Sequence, residues 1–312
     1  GLRVVSYNTL AEIYATASAY PYCQPWYLSF DFRWKLLERE FRAVDADILC
    51  LQEVQADRFE SLFYPVLVSM GYQGLYKHKT RDPMGGAGKV DGCALFWKRG
   101  RVEMLESYTI EFNDAAKKAT KVQFEAAKSL PPPQRRQRQL QLTQGLHRLM
   151  RDNVAQICLF QLTHTPDLKP LPSPHKFVVA NTHLFWDPQF ADVKLWQTLK
   201  LVETLDGFLA RAEVASLILC GDFNSEPRSS VHHLLSANAR FGRIVPMSPE
   251  HLPHDPLKLI STHPTPPSHS LHLVSAYAAV LGDEPSFTNF TESYVGTLDY
   301  IWFTANGLVP KA

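Results

Sequence analysis

The sequence predicts an α/β fold, a two-layer β-sandwich flanked by helices. Three observations carry that reading. Apolar runs of strand length alternate with longer stretches whose apolar residues recur at helical spacing. Each of five such runs presents one polar residue at an end, which is where α/β sheets place their chemistry. And 312 residues with 45% hydrophobic content and six tryptophans supply a core large enough for two sheets in a single domain, 1–312.

Leu2 to Asn8 reads as the first strand. Phe32 to Val44 has helical spacing, and Asp47 to Val54 is a strand. Arg58 to Met70 is a second helix, with Asp57 as its N-cap and Gly71 ending it. Val90 to Trp97, Val102 to Phe112 and Val154 to Leu162 read as strands. Between the last two lies a polar, helix-prone elaboration, Ala115 to Asp152, broken at Pro131-Pro132-Pro133. From Lys117 to Arg151 it carries nine Lys/Arg against one acid, Glu125. A basic stretch can track phosphates, but a solvated helical excursion is the first reading. Thr165 to His175, with four prolines, is expected to be a strand-to-strand loop. Phe177 to His183 is a strand, and Phe190 to Ala212 a long helix whose apolar stripe Lys194, Lys200, Asp206 and Arg211 interrupt. Ala215 to Cys220 is a buried strand, and Leu298 to Phe303 is the last. Pro246 to His272 holds His251, His254, His263, His269 and His272 at spacings that fit no zinc pattern, so it reads as a mobile surface loop.

Net charge is +1, so no global basic field draws nucleic acid. Any such binding is local, which suits a short single-stranded end. Five cysteines without Cys-x-x-Cys disfavour a disulfide scaffold or a structural zinc site and favour a reducing compartment, with Cys50, Cys158 and Cys220 as buried thiols. No apolar run approaches the roughly 20 residues of a membrane span, and no signal peptide is visible. A start on a strand, without Met, suggests an excised domain.

Gly221-Asp222-Phe223-Asn224-Ser225 is the most informative stretch. Asp222 and Asn224, two apart, would point the same way in extended backbone. One could hold or activate a water while the other holds a phosphate oxygen. Four further strand ends present Asn8, Gln52-Glu53, His183 and Asp299. Glu53, a carboxylate beside Gln52, suits a hard cation such as Mg²⁺. Together these groups suit a metal-phosphate site.

Tyr7-Asn8, Leu51-Gln52-Glu53-Val54, Asn181-Thr182-His183-Leu184, Gly221 to Ser225 and Leu298-Asp299-Tyr300 occur in the order seen in the endonuclease/exonuclease/phosphatase superfamily. Within it, Tyr20 to Trp26, Trp186-Asp187-Pro188 followed by Asp192-Val193-Lys194-Leu195, and Phe287 to Thr291 resemble the catalytic domain of carbon catabolite repressor poly(A) deadenylases. The resemblance implies Mg²⁺-dependent, 3′-to-5′ removal of poly(A) from RNA with release of 5′-AMP, one or two Mg²⁺ ions, and Mn²⁺ as a substitute. It implies that Glu53 holds metal, Asp222 orients or deprotonates the water, Asn224 holds the scissile phosphate, and His183 donates to it. Asn8 would position the phosphate or the metal's water shell, and Asp299 would support the second metal position. Asn289 and Tyr294 match the adenine pocket, Tyr294 standing where Phe is more usual, and Pro188 would form its other wall. Partners would be deadenylation-complex proteins reached through a leucine-rich repeat domain that this chain lacks, in the cytoplasm and the nucleus. Relatives that cleave 2′,5′-linked oligoadenylate or a dinucleotide 2′-phosphate, and a pseudonuclease RNA-binding or assembly module, are the alternatives. The superfamily's last strand carries Ser-Asp-His, yet no Asp-His pair occurs here. The expectation is a cut C-terminus whose strand would cover the edge beside Leu298 to Thr304.

Overall fold

The computed structural model describes residues 1–80, 89–236, 250, 252–260 and 268–311. It contains two stacked sheets with helices outside both. The first has the order β1 (Val4–Asn8), β2 (Ile48–Gln55), β4 (Asp91–Lys98), β3 (Tyr72–His78). The second runs β5 (Val102–Glu111), β6 (Val154–His164), β7 (Pro170–His183), β8 (Leu217–Asp222), β12 (Asp299–Thr304), β9 (Leu273–Ser275). A small hairpin, β10 (Asn289–Phe290) and β11 (Val295–Gly296), stands apart. Pairs β1–β2 and β7–β8 are parallel, the others antiparallel.

Strand periodicity builds the layers. Ile48 and Cys50, with Leu95 and Trp97, face Cys158, Phe160, Val179 and Cys220 of the other sheet. The intervening Leu49, Leu51, Ala94 and Phe96 face outward, under Trp34, Leu37, Phe41 and Phe63. Likewise Ile157, Val178, Ala180, Leu217 and Leu219 face outward, onto Val193, Leu201 and Leu205 of the helix Ala191–Ala212. Both faces of each central strand are thus covered, which is why these runs are continuously apolar. Each such Leu or Ile contributes about 1.5–3 kcal/mol by leaving water.

Several expectations are corrected. The helical segment after β2 starts at Ala56 and its N-cap is Gln55, so Asp57 lies inside the first turn. Its carboxylate instead accepts from Arg58 N and Gln55 Nε2. Gly71 does end the segment, at φ +90°. Of the Thr165 to His175 stretch only 165–169 is loop, because β7 already begins at Pro170. Pro170, Pro172 and Pro174 occupy alternate positions, so their nitrogens share one edge of the strand, and β8 pairs only from Val178 onward. Proline is tolerated where no ladder bond is needed. The elaboration is two helices, Phe112–Ala127 and Pro132–Leu149. Cys50, Cys158 and Cys220 are buried free thiols. Strand β12 lies between β8 and β9, so its edge along Trp302–Thr304 is covered, contrary to expectation. Among the described residues the strands at the sheet edges are β1 and β3 in the first sheet and β5 and β9 in the second. His269 is buried, its Nε2 bonded to Leu234 O and its Nδ1 accepting from Leu271 N. Residues 246–249, 251 and 261–267 of the His/Pro-rich stretch lie outside the described residues.

Candidate active site

Strand β2 is interrupted by a bulge between Leu51 and Val54. Glu53 takes φ +56° there. An extra residue in a strand re-aims a side chain, and Glu53 leaves the ladder while Gln52 points between the sheets. Gln52 is therefore no companion of Glu53. Its Nε2 donates to Asn181 Oδ1 at 2.8 Å, and Asn181 Nδ2 donates to Leu51 O and Ala94 O at 3.0 Å each. Both amides are fully buried and tie one sheet to the other.

Asn8 is the bridge of the site. Its Nδ2 donates to Glu53 Oε1 at 3.0 Å and to Asp222 Oδ2 at 2.9 Å. Glu53 Oε2 accepts from Ala11 N at 2.9 Å. The turn that presents Ala11 is held by Arg33, whose Nη1 donates to Thr9 O at 3.0 Å and Leu10 O at 2.7 Å.

Asp222 ends β8 and stands opposite Asp299 in the antiparallel register and beside His183 in the parallel one. His183 Nε2 is 3.7 Å from Asp222 Oδ2. Gly221 is required by the strand β7, since a Cβ there would sit 2.2 Å from Thr182 O. The chain then leaves extended geometry: Asn224 has φ +47°. Asp222 and Asn224 accordingly do not project as alternate residues of a strand. Asp222 Oδ1 accepts from Asn224 N at 2.9 Å, and Asn224 Nδ2 donates to Leu184 O at 2.9 Å. Asp299 Oδ2 accepts from Thr288 Oγ1 at 2.7 Å.

Three carboxylates thus share a corner, Asp222 buried and Glu53 and Asp299 half-buried. Burial, and then the charge of Asp299, push Asp222 up to about 7. Burial raises Asp299 to about 6, with Glu53 adding to the shift. Glu53 is raised too, chiefly by burial. The nearby cation is Lys79, 2.6 Å from Asp91 Oδ2. Burial would lower its pKa, but Asp91, Tyr14 and Glu53 together hold it above the usual value. Tyr14 Oη donates to Asp91 Oδ1 at 2.9 Å.

Among the described residues no three His, Cys, Asp or Glu side chains converge tightly enough to hold a metal by themselves. Mg²⁺ keeps most of its water and binds proteins through one or two carboxylates. Glu53, Asp222 and Asp299 converge here with pKa values raised first by burial and then by neighbouring acids, and a cation that offsets their charge fits such a cluster. Glu53 would hold it.

The structure brings Asn8, Glu53, His183, Asp222, Asn224 and Asp299 together. Pro188 lies on one short piece, the turn 188–190, and Asn289 and Tyr294 on another, the hairpin 289–296. Pro188 opens an exposed turn, Pro188–Phe190, capped by Asp187 Oδ1 accepting from Gln189 N at 2.9 Å. Tyr294 folds under its hairpin, its hydroxyl 2.3 Å from where a Cβ on Gly296 would lie. Asn289 makes no side-chain hydrogen bond among the described residues, although its neighbour Thr288 holds Asp299. No hydrogen bond joins the 188–190 turn to the 289–296 hairpin among the described residues.

The helix Ala191–Ala212 supplies a residue that sequence reasoning left out. Lys194 is 5% exposed, and its Nζ donates to Asn224 O at 2.6 Å. Burial lowers its pKa to about 8, against the pull of Asp222, Asp187 and Glu226. A signal existed: Lys194 sits between Val193 and Leu195 at the helix start, where every residue from Asp192 to Thr198 is buried.

A two-sheet sandwich with carboxylate, amide and imidazole groups on converging strand ends is a phosphoesterase architecture. The chain belongs to the endonuclease/exonuclease/phosphatase family, whose pattern matches residues 5–312. It is 38% identical over 329 residues to carbon catabolite repressor protein 4 homolog 1 of Arabidopsis thaliana, covering 99% of this chain and 51% of that protein. It is 33% identical to the CCR4-Not complex 3′-5′-exoribonuclease subunit Ccr4 of Saccharomyces cerevisiae, covering 98% of this chain and 34% of that one. The chain therefore spans about half the length of the first of these relatives and a third of the second. Among solved structures, ANGEL2, described as a 2′,3′-cyclic phosphatase in complex with adenosine-2′,3′-vanadate, superposes with TM-score 0.69 at 26% identity, over 98% of this chain and 84% of that one. The human Nocturnin catalytic domain gives 0.61 at 25% identity, over 97% and 83%. No helix among the described residues is long and apolar enough to cross a membrane.

Proposed function

We propose that this chain is the catalytic part of a Mg²⁺-dependent 3′-to-5′ exoribonuclease that shortens poly(A) and releases 5′-AMP. The observation that carries the hydrolytic reading is the Asn8 bridge, which places Glu53 of one sheet against Asp222 of the other. The similarity to the carbon catabolite repressor relatives supports poly(A) as substrate.

Bound at Glu53, Mg²⁺ would polarise the phosphate and offset its charge. Asp222 takes a proton from, or orients, the attacking water, and a pKa near neutrality suits that role. His183 and Asn224 donate to phosphate oxygens, where fixed donors stabilise the charge that develops. Asn8 keeps Glu53 and Asp222 in register with one another, and Asp299 keeps Asp222 basic by its own charge. Asn289 reads the adenine edge, as an amide can with paired hydrogen bonds. Tyr294 and Pro188 flank the base. Complex partners, as in the Ccr4 subunits, would join through parts of the protein outside this chain.

The test is AMP release from labelled oligoadenylate by the full-length protein, with and without Mg²⁺, beside poly(U), 2′,5′-linked oligoadenylate and adenosine 2′,3′-cyclic phosphate. Metal-dependent AMP from oligoadenylate alone supports the reading. Turnover of the cyclic phosphate alone would instead favour the chemistry of the ANGEL2 structure. RNA binding without any turnover would favour a pseudonuclease module.

A further inference from the structure

The turn after His183 carries a surface that the chemistry above does not use. Trp186 is 67% exposed. Its ring lies 6.1 Å from Phe185, which meets Phe190 edge-on at 5.2 Å. Two guanidiniums lie on these rings. Arg148 is 4.2 Å from the centre of Phe190, and Arg151 is 4.6 Å from Phe190 and 5.4 Å from Phe185.

The two arginines differ in what binds them. Arg148 is committed to both oxygens of Asp192, at 2.7 and 2.8 Å, and to Gln189 O at 2.9 Å. It fixes the turn. Arg151 has no ion pair among the described residues. Its Nη1 donates to Met150 O at 3.1 Å, and its Nε is buried with no hydrogen-bond partner. A guanidinium keeps its charge at any working pH, so Arg151 carries donor capacity that the protein leaves unfilled. Two residues on, Asn153 Nδ2 donates to His183 O at 2.9 Å. Arg151 and Trp186 therefore stand at the same strand ends as His183.

We propose that Arg151 and Trp186 form a subsite for the RNA strand on the 5′ side of the scissile phosphate, with Trp186 stacking on a base and Arg151 donating to a phosphate oxygen. The proposal rests on the polynucleotide reading above and extends it. In a 3′ exonuclease the terminal nucleotide fills the base pocket, and every other nucleotide lies on the 5′ side. The chain's net charge of +1 provides no general attraction, so a strand needs local contacts of this kind. An aromatic platform with a cation beside it holds any base, because every base has a π-face. The subsite sets dependence on length, not on sequence.

The experiment uses the full-length protein with Mg²⁺, diadenylate and hexaadenylate. Trp186→Ala and Arg151→Gln should each raise KM for hexaadenylate about tenfold with kcat retained, in line with stacking worth about 1–3 kcal/mol, and Arg151→Gln should leave diadenylate, which has no phosphate beyond the scissile one, nearly unchanged. Trp186→Phe should restore most of the loss. Arg151→Gln should also flatten the dependence of log affinity on log salt by about 0.7, the value for one single-strand phosphate contact. Unchanged KM and salt slope in both variants would overturn the subsite. A lower Tm for Arg151→Gln with an unchanged salt slope would make Arg151 a holder of the turn and overturn its phosphate role. If the unmutated protein releases no AMP from either oligomer, the polynucleotide reading itself fails and the subsite with it.

Discussion

The carboxylate corner and the rim proposed to read the base are built to different standards. In the corner, Asp222 and Asp299 are opposite residues of adjoining core strands, and Asn8 ties Asp222 to Glu53 across the gap between the sheets. Asp222 and Asp299 are set by strand register, which a whole sheet enforces, and Glu53 by the bulge in β2. At the rim, Pro188 lies on a three-residue turn and Asn289 and Tyr294 on a hairpin of two-residue strands. These short pieces are attached locally, by Thr288 to Asp299 and by Arg148 to Asp192. The contrast separates two jobs. A family can keep its phosphate chemistry in the strand ends while exchanging substrates by rebuilding a turn and a hairpin.

Substitutions in the corner should therefore act on rate, and those at the rim on substrate choice. The largest effect is expected for Asp222→Asn, which should still bind RNA but lose roughly 10²–10⁴-fold in kcat, the range of a positioned acid-base group. Equal loss of binding and rate would make Asp222 a structural ligand. Glu53→Ala should remove the Mg²⁺ response while its thermal unfolding stays cooperative, and undiminished Mg²⁺-dependent turnover would reject the metal assignment. At the rim, Tyr294→Ala should weaken action on poly(A) by the roughly 1–3 kcal/mol of one stacked base, with Tyr294→Phe nearly silent. Asn289→Ala should narrow the rate gap between poly(A) and poly(U). Equal rates on the two polymers before any mutation would remove the basis of the comparison.

A smaller effect concerns pH. Asp222 and Asp299 have pKa values of about 7 and about 6 in the folded protein, against 3.8 for an aspartate in water. Folding raises them, so the folded state binds more protons, and stability is lost as pH rises from about 4 to about 7. With Mg²⁺ chelated, calorimetry should show Tm falling over that window, and less steeply in Asp222→Asn. Added Mg²⁺ should reduce the fall in the unmutated protein. A slope identical in both proteins would mean that burial in the corner does not raise Asp222 as inferred. Smallest of all, Lys117→Ala in the helical excursion should change stability by less than about 0.5 kcal/mol, as a surface substitution does. Lys117 is exposed, and its Asp114 partner lies one turn away on the same helix.

The strands and their polar ends were legible because an apolar run that stops at a single Asn, Glu, His or Asp leaves few other readings. Glu53, His183, Asp222 and Asp299 came from that pattern. The local geometry at those ends did not. Nothing in Leu-Gln-Glu-Val tells a bulge from an uninterrupted strand, yet the bulge decides that Glu53 and not Gln52 faces the site. Lys194 was hidden for the opposite reason. A lysine in a helix reads as a solvated position, and only the packing of that helix against the sheet beneath it buries the side chain. The prolines of β7 looked like loop because their tolerance depends on which strand edge is paired, a property of the neighbour and not of the segment.

The paired amides of Gln52 and Asn181 have a mechanical consequence. They act as a fixed spacer between two plates, placed under the reacting groups and away from water. Sliding one plate against the other would strip two buried amides of their partners at once, at about 1–3 kcal/mol for each unsatisfied group. That cost opposes any change in the aperture between Glu53 and Asp222. Movement costs less at the edges, in the turn after His183 and the hairpin before Asp299, which are short and held by few bonds. Any opening that the proposed reaction needs is expected at the doorway and not in the frame behind it.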